Sequence, residues 1–468
     1  MTVNPLTGAL KFLSTSLFNS LVAFAFFLVA GRFASPSFVG EVAIIQLIET
    51  ISASLFSILP YQVIIRELAY YYASSHEYTK IIYTSLTYSF LVSPFLLFLL
   101  FFFPSSYLWV SIPYFILFIY TNYQGSILTG LGKFTETTIG NVIFSLARWG
   151  LSIIAVFYHS IELLILIWIL SALVKAIYYQ RLIPFRLSID KQIFKNTVKI
   201  GFPIYISTVV YFISTQGDRI MTAFLLGSYD LGIYQVVALA AIVPSMLISS
   251  LSSSVLPSST YYYVKGRDMK DMSSMTLRVV SLVSLPIAIL GYAISPLFIS
   301  KLFPDYISGI ESMQLLVLSL TATMPLQLLS TYLIAAKVSY RPFILIGSTS
   351  AVEVVSLSYL LIPKLGILGA AIAQVINALL TSALYLVYSV RQNIFHLGRR
   401  EFSILLLIAL SFLSLLNWVV TLILVILGYR LLGIITSSDV KLVESLTPQP
   451  FKMLAKVLYL IAIDRSVH

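Results

Sequence analysis

Six ionisable residues interrupt stretches that are otherwise apolar: Glu49, Arg148, Lys175, Asp218, Arg219 and Glu353. In hydrocarbon an unpaired charge costs at least about 2.5–3.5 kcal/mol, so each of the six marks a place that needs a partner, a ligand or a proton. A buried carboxylate holds a proton more readily than one in water. Glu49 and Glu353 are therefore candidates for a coupling ion, H+ or Na+. An arginine offers a planar fork that meets a phosphate with two parallel hydrogen bonds, and Arg148 and Arg219 are the candidates for that role. Asp218 and Arg219 are neighbours in sequence, and successive residues of a helix point about 100° apart, so each needs its own partner. Plainer readings stand beside these. Asp218 could tie its helix to a neighbour, and Arg219 and Lys175 could extend along the helix to the outer and inner interfaces.

Five uncharged residues, Asn122, Gln124, Gln327, Gln374 and Asn377, could meet the hydroxyls of a polar ligand. Most such residues in apolar helices instead bond across to another helix. Other chemistries are excluded or lack their residues. There is no Cys, so no thiolate nucleophile, disulfide or Cys-based metal site. The four His, at 76, 159, 396 and 468, are scattered. No Ser/His/Asp, metal or nucleotide-binding constellation is present. The expectation is a protein that is not an enzyme and carries no cofactor beyond a coupling ion.

The elements that hold these residues follow from composition. The chain has 468 residues, of which 59% are hydrophobic and 10% charged, with mean hydropathy +0.96. A typical soluble domain is about 25% charged. The apolar runs are about 20 residues long, the length a helix needs to cross about 30 Å of hydrocarbon, and the alternation of a membrane β-barrel is absent. The fold class is therefore an all-α polytopic membrane protein. Spans are expected at 10–31, 38–60, 80–103, 107–130, 138–158, 161–181, 200–226, 231–256, 277–300, 308–336, 341–363, 366–391, 402–417 and 418–435. The first is read as a span and not a cleaved signal peptide. The last two come from one long apolar run that turns near Asn417.

Basic residues orient the spans. With a cytoplasmic N-terminus and alternating loops, 18 Lys and Arg fall inside and only Arg32, Lys301 and Lys364 outside. The basic tail (Lys441, Lys452, Lys456, Arg465) also belongs inside, which requires an even number of crossings, about fourteen. The net charge of +11 is thus mostly topology and attraction to anionic headgroups. No basic loop is long enough to form a nucleic-acid-binding domain. In "RLIPFRLSIDKQIFKNTVKI" (181–200), Lys191, Lys195 and Lys199 share one helical face, which predicts an interfacial helix on the inner leaflet.

That segment separates two similar halves. "FASPSFVGEVAIIQ" (33–46) aligns with "LLGSYDLGIYQVVA" (225–238), with Gly40 over Gly232 at an offset of 192. "TGLGKF" (129–134) matches "IAAKVS" (334–339), with Lys133 over Lys337 at an offset of 204. Six helices per half make these parallel repeats about an axis along the membrane normal. The boundaries expected are an N-lobe at 1–181, an interfacial linker at 182–199, a C-lobe at 200–391, two further helices at 392–435 and a cytoplasmic tail at 436–468. Under the repeat Arg148 and Glu353 are near-equivalent, 205 apart, and could face each other, as a phosphate site with its competitor or as an ion pair bracing the lobes.

Four segments in order, "KIGFPIYIS", "GDRIMTAFLLGSYDLGIYQVVALA", "LFPDYISGIESMQLLVLS" and "IPKLGILGAAIAQVIN", with the tail "LGYRLLGIITSSDVKLVESLTP", resemble the polysaccharide/oligosaccharide flippases of the multidrug/oligosaccharidyl-lipid/polysaccharide exporter superfamily. The resemblance spans nearly the whole chain. It implies two pseudo-symmetric six-helix lobes around a central cavity, two extra C-terminal helices, and alternating access that carries a lipid-linked oligosaccharide from the inner to the outer leaflet of the cell membrane. It also favours an acidic residue at Asp218. The partners expected are that substrate and membrane lipids, with no nucleic acid, and the chain is expected to act as a monomer. A multidrug-type cation antiporter of the same fold is the alternative. It would favour acidic cavity residues, which Arg148, Lys175 and Arg219 match in number. A membrane glycosyltransferase needs paired carboxylates in an outer loop, and only scattered acids such as Glu162, Asp230 and Asp305 are found there. A purely structural scaffold fits poorly with charges buried on several helices.

Overall fold

The computed structural model describes residues 5–73, 78–101, 107–239, 259, 263, 268–336 and 341–434. Helices run at α1 Pro5–Phe33, α2 Pro36–Leu55, α3 Tyr61–Ala73, α4 Thr79–Val92, α5 Leu108–Gly130, α6 Phe134–Phe157, α7 Ile161–Gln180, α8 Lys191–Leu226, α9 228–239, α10 Met269–Leu302, α11 Ile310–Ala335, α12 Arg341–Leu365, α13 Ile367–Arg391, α14 Arg399–Ser411 and α15 Ser414–Leu431. No strand occurs among the described residues. Eleven helices there are long and apolar enough to cross a membrane. The fourteen expected spans exceed that number for local reasons. Helix α5 is long enough, but Asn122, Gln124 and its tyrosines dilute it. Helix α14 has only 13 residues, and the expected span 231–256 leaves the described residues after 239.

Helix ends follow their caps. Ser35 accepts a hydrogen bond from the Phe38 N–H (3.3 Å) and Pro36 fills the first helical turn of α2, where its missing donor is not needed. Ser160 caps α7 through the Leu163 N–H (3.1 Å). Asp190 caps α8 through the N–H groups of Gln192 and Ile193, both at 3.0 Å. The α12–α13 turn needs Gly366, whose φ of +59° is a left-handed backbone that side chains disfavour.

Several expected boundaries are corrected. The second span does not run to residue 60: α2 ends at Leu55, Pro60 disfavours helix before it, and the unexpected α3 begins at Tyr61. The third span leaves α-helix at Val92 and continues as a 3-10 helix over Ser93–Phe101. The basic strip at 191–199 is not a separate interfacial helix. It forms the first turns of a continuous 36-residue α8, with Asp190 at its start and Pro203 inside it. The C-terminal run does divide, at Phe412–Leu413, and Asn417 itself is non-helical (φ −157°, ψ 105°). The tail 436–468 lies outside the described residues, as do Lys265, Arg267 and Lys337 of the inner basic set.

The chain forms two compact units, one of Met1–Val236 with Leu302–Tyr306 and Ser358–Ile367, the other of Val237–Lys301, Ile307–Leu357 and Leu368–His468. In the first, α5 packs most extensively on α7, while α1 packs on α6 and α2 on α8. In the second, Leu285 and Ile289 of α10, Leu329 of α11, Leu407 of α14 and Val425 and Tyr429 of α15 share one core. Arg278 and Glu401 pair at 2.7 Å, fixing α10 to α14.

Candidate functional site

The first unit has an ionic centre. Helix α6 is regular to Ser145, widens to a π-turn over Leu146–Gly150, and resumes as α-helix. Such turns insert one extra residue and recur at functional positions. Here the turn carries Arg148 and Trp149, both buried. The guanidinium meets Glu49 of α2 through both ends of its fork, Nη1 to Oε1 at 3.1 Å and Nη2 to Oε2 at 2.5 Å. The Tyr114 hydroxyl of α5 donates to the same Oε2 at 2.8 Å. Four rings surround the cation: its central carbon lies 3.9 Å from the Trp168 centroid, 4.4 Å from Trp149, 5.4 Å from Tyr114 and 5.6 Å from Phe144. A desolvated cation over a ring gains about 2 kcal/mol. The Ser152 hydroxyl donates to the Arg148 carbonyl at 2.5 Å, and the Trp168 Nε1–H donates to Ser152 Oγ at 3.0 Å. Five helices, α1, α2, α5, α6 and α7, thus converge on one pair, with Phe26 and Phe27 of α1 stacked against Trp149.

Lys175 of α7 lies next to this pair and does not extend outward to an interface. It is 5% exposed, with its ammonium 4.8 Å from the Phe144 ring and 5.5 Å from Tyr179.

A second polar group sits on α8 and α9. Asp218 is buried; its Oδ2 accepts from the Tyr234 hydroxyl at 2.5 Å, and its Oδ1 has no hydrogen-bond partner. Arg219 is half-buried and donates to the Gln216 side chain at 3.0 Å. The two neighbours do point apart, each to its own partner.

The other candidates fall in different places. Gln124 donates to the Ala176 carbonyl (3.3 Å) and to Gln180 Oε1 (3.1 Å), which Tyr120 also reaches. It ties α5 to α7. Asn122 lies beside the Tyr61 hydroxyl, and Gln327 is half-buried on α11. In the second unit, Asn377 accepts from Ser350 at 2.5 Å, linking α12 and α13. Glu353 and Gln374 present buried oxygens with no hydrogen-bond partner. The carboxylate that pairs with Arg148 is Glu49, 99 residues earlier in the chain, a partner that the repeat offset, which points to Glu353, does not indicate. The aromatic cage was not singled out from the sequence. Its signal is present, however, in "ARWG" and in Trp168, alone in the apolar run "LLILIWIL".

Comparison with known proteins bears on the fold and the family. A chain from Shigella flexneri described as a putative O-antigen transporter is 25% identical over 361 residues, 71% of this chain and 85% of its own. The lipid II flippase MurJ in an inward closed conformation superposes with a TM-score of 0.66 at 16% identity, over 88% of this chain and 96% of that one. An inward-facing multidrug resistance transporter of the MATE family superposes with a TM-score of 0.58 at 14% identity, over 82% and 94%. The all-helical fold is that of MOP-superfamily transporters. The model of the polysaccharide biosynthesis protein family matches residues 6–261, more than half of the chain, and the chain belongs to that family.

Proposed function

We propose that this membrane transporter flips a polyprenyl-(di)phosphate-linked oligosaccharide from the cytoplasmic to the outer leaflet by alternating access, for cell-surface polysaccharide or glycoprotein synthesis. The observation that carries the reading is the family match over residues 6–261. A relative described as a putative O-antigen transporter and a fold shared with a lipid II flippase agree with it. The 18-to-3 asymmetry of basic residues supports cytoplasmic termini in the cell membrane.

The geometry supports a division of labour among the charges. Arg148 is committed to Glu49 inside one helix bundle. Arg219 is half-buried, with the neutral Gln216 as its hydrogen-bond partner, and keeps its charge for a lipid phosphate. Glu49, held in an ion pair, and Glu353, with both oxygens unpartnered, are the carboxylates proposed for a coupling H+ or Na+. Gln374 and Asn377 lie on one face of α13, three residues apart, and are the polar side chains proposed for sugar hydroxyls.

Reconstitution into liposomes with a fluorescent lipid-linked oligosaccharide tests the reading. Leaflet exchange that depends on the protein is expected. Efflux of cationic drugs without such exchange would replace the reading with a cation-coupled multidrug antiporter.

A further inference from the structure

The ionic centre of the first unit does not balance. Glu49 carries one negative charge, while Arg148 and Lys175 each carry a positive one, leaving one cation in excess. All three residues are buried, at 8%, 6% and 5% exposure for Glu49, Arg148 and Lys175. Glu49 and Arg148 are the charged groups whose fields reach Lys175, and Glu49 already gives both its oxygens to Arg148. A buried ion without its counter-charge is among the costliest features a helix bundle can hold. Ring contacts offset only part of that cost.

Hydrogen bonding is unbalanced in the same direction. Arg148 Nε is buried with no acceptor, although both other guanidinium nitrogens are bonded. Ser145 Oγ, one turn earlier on α6 and only 3% exposed as a residue, also lacks a partner. Lys175 contributes three N–H donors and, among the described residues, has no carboxylate within ion-pair distance. Arg148 and Lys175 both lie against the ring of Phe144, the residue adjacent to Ser145. The surplus is of donors and of positive charge, and it is confined to facing stretches of α6 and α7.

We propose that Lys175, Arg148 Nε and Ser145 Oγ form a binding site for a small monovalent anion of the halide class inside the first helix bundle. One negative charge neutralises the excess, and the three kinds of donor meet an acceptor that has no directional lone pairs to satisfy. A doubly charged phosphate would reverse the imbalance. The site needs no transported substrate, so it stands or falls apart from the proposed flipping activity.

The test is thermal unfolding of the full-length protein in detergent, with chloride or bromide replacing gluconate at fixed ionic strength. The expected result is a saturable rise of several degrees in the unfolding midpoint, abolished in Lys175→Met and weakened in Ser145→Ala. Three results overturn the proposal: no halide dependence in the wild-type protein, an undiminished halide effect in Lys175→Met, or stabilisation by inorganic phosphate and not by halide. If Lys175→Met does not fold, the wild-type and Ser145→Ala titrations decide alone: equal halide affinity in the two rules the site out.

Discussion

Gly40 and Gly232 occupy reciprocal positions in one helix crossing. A Cβ on Gly40 would lie 1.7 Å from the Ser228 carbonyl oxygen, and a Cβ on Gly232 would lie 1.8 Å from the Pro36 carbonyl oxygen. Pro36 and Ser228 are separated by 192 residues, as are Gly40 and Gly232. Equivalent residues of the two repeats therefore touch through a local two-fold, with each half supplying the gap that the other's backbone fills. Even a methyl group cannot enter without moving α2 from α9. Gly40→Ala and Gly232→Ala are each expected to destabilise the protein by about 1–3 kcal/mol, the usual scale of overpacking. Gly150→Ala, whose Cβ would meet nothing within 4 Å, is expected to be neutral. Unfolding midpoints in detergent check all three.

Breaking the Glu49–Arg148 pair from one side leaves a charge buried alone. Glu49→Gln is expected to cost about 3–5 kcal/mol. Glu49→Gln combined with Arg148→Met should recover part of that loss, because the buried excess of positive charge falls from two back to the one carried by Lys175. A double-mutant cycle by thermal denaturation gives the coupling, and additive losses would contradict it.

Trp168 acts on Arg148 in two ways, by ring contact and through Ser152. Trp168→Phe keeps a ring and loses one buried hydrogen bond, with an expected loss of about 1 kcal/mol. Trp168→Ala removes the ring as well and is expected to cost at least about 3 kcal/mol. Equal losses in the two variants would show that the cation–ring contact contributes nothing.

Arg219→Ala is expected to slow leaflet exchange by at least about tenfold, a barrier change of ~1.4 kcal/mol, while membrane insertion and unfolding midpoint stay at wild-type values. Asp218→Asn, which weakens the Tyr234 contact, should instead lower the midpoint. Exchange assays paired with unfolding curves separate the two residues.

Glu401→Gln removes the charge from the bond that holds α14 to α10. A buried charge-assisted hydrogen bond is worth about 1.5–3 kcal/mol. Faster proteolysis of the C-terminal helices is the expected result.

The sequence carried the class, most span positions and the equivalence of Gly40 with Gly232, because hydrophobic length and turn residues are local signals. "ASPSF" marks the start of α2 through Ser35 and Pro36, and Gly366 marks the α12–α13 turn. The divergence of Asp218 and Arg219 followed from helical geometry alone. Other features were not local. Helix α3 contains Arg66, Glu67 and three consecutive tyrosines, so a search for 20-residue apolar runs passes over it. The continuity of α8 depends on Pro203 being accommodated within a helix, where a proline usually ends or kinks one. The pairing of Arg148 with Glu49 is a tertiary choice among several carboxylates, and spacing along the chain holds no record of it. The aromatic cage needed four rings from α5, α6 and α7, and these meet only in three dimensions.

The uninterrupted course of α8 has a mechanical consequence. Thirty-six residues at 1.5 Å each make a rod about 54 Å long, well beyond the ~30 Å thickness of a bilayer's hydrocarbon core. Its first turns bear Lys191, Lys195 and Lys199, and the helix has length to spare for them beyond a hydrocarbon-spanning stretch. The same rod carries Asp218 and Arg219 near its far end. A force on the lysine end therefore acts on a lever, and Pro203, which breaks the backbone hydrogen-bond ladder, lies between the two ends. Whatever displaces the lysine-bearing end is thereby transmitted along one continuous helix to Asp218 and Arg219.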